Sequence, residues 1–101
     1  MNLWTFLSVL VFCHLIGDYV LQNDYIAKTK GNNFYNLLVH CTLYCLPFIL
    51  FLSVWQLMFL WVTHIIIDSA KARYSVITYE QDQLLHYLVV FILGMWCVAL
   101  I

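Results

Sequence analysis

Apolar residues run along this chain in four long blocks, and the polar ones gather between them. A helix needs about 20 apolar residues to cross the hydrocarbon core of a bilayer. The blocks at 3–22, 34–54, 55–72 and 81–101 have that length. The pattern predicts an all-α membrane protein, a four-transmembrane-helix antiparallel bundle. The second and third blocks nearly touch at Ser53-Val54-Trp55-Gln56, which requires a tight turn between antiparallel neighbours. Pro47 falls inside the second block and predicts a kink, because proline removes a backbone donor that neighbours must compensate. The first block has no basic leading region and no small-residue cleavage site, so it reads as a retained helix rather than a removed signal.

Two connections are polar, residues 22–33 and 71–80. All four basic residues, Lys28, Lys30, Lys71 and Arg73, lie in or beside them. The positive-inside rule then predicts an inner or plasma membrane protein with both connections in the cytoplasm and both termini outside. Tyr25, Tyr35, Tyr74 and Tyr79 would line the inner interface, with Trp4 and Trp55 near the outer one. Composition agrees: 65% of residues are hydrophobic and 9% charged, against about 25% charged in ordinary globular domains. The lipid bilayer is therefore the expected partner, and a net charge of −1 gives no footing for nucleic acid. Length allows one domain, 1–101.

The blocks also repeat in pairs. Residues 6–18 align with 56–68, ending in His14-x-x-x-Asp18 and His64-x-x-x-Asp68; Asn36-x-x-x-His40 aligns with Asp82-x-x-x-His86. The halves 1–54 and 55–101 are thus expected to be two repeated helical hairpins. An i, i+4 spacing stacks both members of a pair on one helix face. The motif reverses between first and second helices, and so does chain direction. All four histidines should then fall near mid-membrane, with Asp18, Asn36, Asp68 and Asp82 about one turn, roughly 6 Å, nearer the cytoplasm.

Such residues are costly in lipid. An Asp at a span's centre costs about 2.5–3.5 kcal/mol on insertion scales, and an interhelical hydrogen bond returns about 1 kcal/mol. A bound divalent ion can contribute on the order of 10 kcal/mol. The expected ligands are His14, Asp18, His40, His64, Asp68, Asp82 and His86, a donor set suited to zinc, or alternatively manganese or iron. In the other reading each Asp holds its helix-mate's imidazole in one tautomer, or the polar layers are hydrogen-bonded packing. Haem is disfavoured, since one bis-His ring would leave the acids unexplained. Asp18, Asp68 and Asp82 are the candidate catalytic acids, any one not ligating being free to act as general base. Gln22, Asn36, Lys71, Arg73 and Gln83 are candidate substrate contacts, with Lys71 and Arg73 suited to a phosphate at the mouth. Cys13, Cys41, Cys45 and Cys97 sit in apolar runs and read as small hydrophobes, although Cys41 and Cys45 are one turn apart.

His14-x-x-x-Asp18-Tyr19-x-x-Gln22, the lone His40, His64-x-x-x-Asp68-x-x-Lys71 and Asp82-Gln83-x-x-His86 together resemble the small polytopic membrane proteins grouped as domain of unknown function 3307. The resemblance covers nearly the whole chain and implies the membrane bundle but no activity. More loosely, His and Asp on several membrane helices are similar to membrane-bound metal-dependent hydrolases.

Two function classes follow. The first is a membrane-embedded divalent-metal-binding protein, a metal-dependent hydrolase of a lipid or phosphoester opening to the cytoplasm; no Ser-His-Asp or Cys-His arrangement suggests a covalent nucleophile instead. The second is a small transporter, channel or binding subunit for a metal ion, proton or small solute. Four helices make a narrow path, so that reading requires a homo-oligomer.

Overall fold

Helix starts along the chain are set by polar side chains that take up otherwise unpaired backbone amides. Asn2 accepts from the amide of Thr5 (2.8 Å), Asn23 from Ile26 (2.8 Å) and Asn33 from Asn36 (3.2 Å). Ser53 and Gln56 form a reciprocal capping box, and Thr78 and Gln81 exchange the same pair of bonds. These caps open α1 (Leu3–Leu15), α2 (Asp24–Thr29), α3 (Phe34–Cys45), α4 (Val54–Ala72) and α5 (Tyr79–Ala99). The computed structural model describes residues 2–99, and no strand occurs among them. Met1, Leu100 and Ile101, the last two expected to close the fourth block, lie outside the described residues.

Several boundaries differ from the hydropathy pattern. The first block leaves α-geometry after Leu15 and finishes in a π turn, Ile16–Val20. Gly17 explains the close packing there: a Cβ on it would lie 2.5 Å from the Tyr44 carbonyl oxygen, so only glycine lets this turn rest on α3. The second block is two pieces, because Pro47 sits in the first turn of a 3-10 segment, Leu46–Leu50, that continues α3. The polar connection at 22–33, read as loop, contains α2. Its caps at Asn23 and Lys30, with Ile26 buried beneath, hold a helix too short to show in hydropathy. α5 begins at Tyr79, before residue 81.

α1 lies against α5, α3 against α4, and α4 against α5, while the π turn rests on α3. On each long helix the buried stripe follows one rule. An acid or amide is followed one turn on by histidine, and one turn further by an apolar or aromatic residue. The stripes are Asp18, His14, Leu10; Asn36, His40, Tyr44; Asp68, His64, Leu60; and Asp82, His86, Val90, every member buried. At the apolar ends of the stripes Leu10 and Leu60 join Phe48, Leu52 and Leu93 in an apolar core.

Two helices, Leu3–Val20 and Tyr79–Val98, are long and apolar enough to cross a membrane; Phe34–Leu50 is apolar but shorter.

Candidate functional site

Because i, i+4 residues share a helix face, the acid and histidine of each stripe point to the same interior space. There the side chains of His40, His64, Asp68, Asp82 and His86 are 0–2% exposed, and Asp18 is 7% exposed. Three sets of donor atoms lie within 4.8 Å of one another: Asp18, His40 and His64; His64, Asp68 and His86; and Asp18, Asp82 and His86.

The first set is the tightest. His40 Nε2 is 3.2 Å from His64 Nε2 and 3.3 Å from Asp18 Oδ1, and His64 Nε2 is 3.6 Å from the same oxygen. Zinc bonds of about 2.0–2.2 Å put tetrahedral ligands about 3.3–3.6 Å apart, so these atoms form a triangle of the size one face of such a site would have. Asp68 Oδ2 is 3.6 Å from His40 Nε2. Asp82 Oδ1 and His86 Nε2 are 3.3 Å apart, yet neither has a hydrogen-bond partner. Buried polar atoms are normally paired; these two sit close without being aligned on each other. An imidazole and carboxylate set of this kind can hold zinc, manganese or iron.

A second group of residues fixes the first. Gln83 Nε2 lies 2.9 Å from Asp18 Oδ2 and 3.1 Å from Asp82 Oδ2, so its amide nitrogen must face the carboxylates and donate to both. Its Oε1 then faces His14 Nε2 at 3.1 Å and can only accept, which makes His14 Nε2 the donor. His14 Nδ1 in turn accepts from the Tyr44 hydroxyl at 2.7 Å. This chain ties α3, α1 and α5 together and leaves Asp18 Oδ1 and Asp82 Oδ1 turned toward the other histidines. The Tyr44 ring also stacks on His64 (3.8 Å), and His64 stacks on His86 (4.2 Å).

Two lysines complete the charge. Lys30 is buried; its Nζ is 3.1 Å from Asp68 Oδ2 and donates to Oδ1 at 3.4 Å. Gly31 allows this, since a Cβ there would meet the Ala72 carbonyl oxygen at 2.4 Å, so the connection can lie against the end of α4. Lys71 Nζ, on a side chain 25% exposed, is 3.7 Å from Asp82 Oδ2 and 4.0 Å from Asp68 Oδ1.

The residues singled out in the sequence are not all brought together. Asp18, His40, His64, Asp68, Asp82 and His86 converge. His14 lies beside them with both ring nitrogens engaged and belongs to none of the three donor sets. Asn36 is buried but turns to Thr29 of α2, donating to its hydroxyl at 2.7 Å. Gln22 is half-buried, with Oε1 lacking a partner. Arg73 packs its guanidinium 5.5 Å over the Phe34 ring, whereas Lys71 reaches the acids. Cys41 and Cys45 are free, buried thiols that join no donor set. Lys30 and Tyr44 escaped the sequence reading. Tyr44 could have been found, standing one turn from His40 on the same face.

No curated protein and no solved structure matches the chain. A family model does match, over residues 6–100, with the description "Protein of unknown function (DUF3307)". The chain belongs to that family.

Proposed function

We propose that this protein binds a divalent metal ion inside a four-transmembrane-helix bundle of two repeated hairpins, and hydrolyses a lipid or phosphoester that reaches the ion from the polar connections. The observation that carries this reading is the triangle of Asp18 Oδ1, His40 Nε2 and His64 Nε2, with edges of 3.2, 3.3 and 3.6 Å. Three protein ligands leave a fourth tetrahedral position for water, as in catalytic rather than structural zinc sites. Zinc fits the donors first, with manganese or iron as alternatives.

Asp18, His40 and His64 would hold the ion, which supplies a bound water of lowered pKa and polarises the substrate. Asp82, which shares a donor set with Asp18 and has His86 3.3 Å away, would serve as the general base toward such a water. Lys71, partly exposed and within 3.7 Å of Asp82, would meet an anionic group at the mouth. Gln83, His14 and Tyr44 hold the two carboxylates in position.

Membrane embedding is supported by the outward-facing apolar side chains. Trp4, Val20, Leu50 and Trp55 are 73–83% exposed, a surface that lipid would cover. Exposed Tyr25, Tyr35, Tyr74 and Tyr79 near the connections suit an interfacial belt. The basic residues there favour a cytoplasmic face, with both termini outside. The transport reading has less support, because Leu10, Phe48, Leu60 and Leu93 are 0–1% exposed and fill the interior beyond the histidines.

The test is to purify the protein in detergent, measure its metal content, and assay hydrolysis of phosphatidic acid in mixed micelles and of a soluble phosphomonoester. Stoichiometric zinc, manganese or iron is expected, with turnover lost in Asp82→Asn. Protein free of stoichiometric metal after gentle purification overturns the reading.

A further inference from the structure

Lys30 is the anomaly of the molecule. It comes from a polar connection whose neighbour Lys28 is exposed, yet its own side chain is 7% exposed and ends against Asp68. Burying an ammonium is costly unless a carboxylate compensates it. The contact is also lopsided. The hydrogen bond goes to Asp68 Oδ1 at 3.4 Å, while Oδ2, 3.1 Å from the ammonium, accepts none. Oδ2 instead lies 3.6 Å from His40 Nε2, one of the three atoms of the proposed metal triangle.

Asp68 thus touches one corner of the triangle while standing outside that donor set, and a shift toward Asp18 and His64 would make it the fourth ligand. A fourth protein ligand would complete the tetrahedron and convert an open centre into a closed one. We infer that Lys30 is a positioning residue that holds Asp68 off the metal by ion pairing, so that the fourth position stays free for water or substrate. The inference rests on the metal-binding reading above. With Lys30 in place, Asp68 answers to a cation already present in the chain. Without it, the buried carboxylate keeps only the more distant Lys71, 4.0 Å from Oδ1, and the divalent ion becomes its strongest counter-charge. Lys71 is shared between Asp68 at 4.0 Å and Asp82 at 3.7 Å and lies on the Oδ1 side, so it does not engage the Oδ2 that faces His40.

The sign of the expected effect is unusual for a buried residue: its removal should tighten a binding site. Wild type, Lys30→Met, Lys30→Arg, Asp68→Asn and the double variant Lys30→Met/Asp68→Asn are purified in detergent, stripped of metal and titrated with zinc against a chromophoric chelator. Lys30→Met should bind zinc on the order of tenfold more tightly than wild type. Lys30→Arg should resemble wild type, and the double variant should lose the gain. Cobalt-loaded samples give a second readout. Azide should shift the visible spectrum of the wild-type centre, which has an open position, and leave that of Lys30→Met unchanged.

Zinc affinity in Lys30→Met equal to or below that of wild type overturns the inference, as does a gain that persists in the double variant. Asp68→Asn decides the matter even if Lys30→Met fails to fold. Affinity within about threefold of wild type supports the inference, since Asp68 is then no ligand; a larger loss makes Asp68 a ligand in the native protein and overturns it. A wild-type protein that takes up no zinc at all is a different result, and removes the metal reading itself.

Discussion

His14 and His64 share a sequence setting, each four residues before an aspartate and each fully or almost fully buried, but their rings are used in opposite ways. His14 spends both nitrogens on neutral neighbours, Tyr44 and Gln83. His64 leaves Nδ1 unpaired and directs Nε2 at another imidazole and a carboxylate. Tyr44 stands between them, giving its hydroxyl to one and its ring face to the other. A motif fixes where an imidazole sits along a helix; the residues on the facing helices fix whether it supports a site or belongs to it.

The sharpest way to break that comparison is to remove each ring in turn. His64→Ala takes away a residue common to two of the three donor sets, and the purified protein is expected to lose most of its bound metal. His14→Ala removes a support rather than a ligand, so metal should remain, bound about 10–100-fold more weakly. Equal losses in the two variants, measured by elemental analysis and chelator competition, would place both rings on the ion and erase the distinction.

Gln83 tests the same division from the other side. Its amide is the only hydrogen-bond donor to Asp18 Oδ2 and Asp82 Oδ2 among the described residues. Gln83→Ala frees two carboxylates at once and should weaken metal binding by about 10–100-fold, the range typical of outer-shell partners. Gln83→Glu should be worse, because it sets a third carboxylate against two others. A Gln83→Ala variant with wild-type zinc affinity would mean that the carboxylates need no such support.

Two glycines extend the comparison to packing. At Gly17 an added Cβ would strike the Tyr44 carbonyl oxygen at 2.5 Å, whereas at Gly94 it would meet Leu7 Cδ2 at 2.3 Å. A backbone oxygen on a neighbouring helix cannot step aside, but the end of a leucine side chain can. Gly17→Ala is therefore expected to cost about 1–3 kcal/mol through overpacking and to move Asp18, lowering zinc affinity as well. Gly94→Ala should cost less and leave metal content unchanged. Thermal unfolding in detergent, with and without zinc, separates the two.

How far the site could be read from the chain follows from the same contrasts. The helical class follows from apolar blocks of helical length, and the gathering of His and Asp follows from the i, i+4 spacing. Neither needs knowledge of a partner helix. The fate of Lys30 does need it: in Lys28-Thr29-Lys30-Gly31 the two lysines look alike, and the second is buried where Gly31 packs against Ala72 and its ammonium meets Asp68. The short α2 was hidden for a related reason, as six residues carry too little hydropathy to signal a helix, although the cap at Asn23 was there to be noticed. Asn36 aligns with Asp82 in the sequence, each four residues before a histidine, yet it bonds Thr29 of that unexpected helix. Asn36→Ala should accordingly cost about 1 kcal/mol of stability and spare the metal.

The smallest expected effect concerns the two cations at the end of α4, which the sequence presents as a pair. Lys71 is within 4.0 Å of both Asp68 and Asp82, while Arg73, two residues on, lies 5.5 Å above the Phe34 ring. Residues two apart do not share a helix face, so one cation turns to the acids and the other to the start of α3. Replacing Arg73, half-buried with Nη1 unpartnered, by Met keeps an apolar contact with Phe34 and removes the cation–π attraction, worth about 0.5–2 kcal/mol. Its zinc affinity and its rate on an anionic substrate should match wild type. Lys71→Met should keep the metal and raise KM for that substrate. A KM raised equally by Arg73→Met would bring the arginine into the mouth and undo the separation of the two cations.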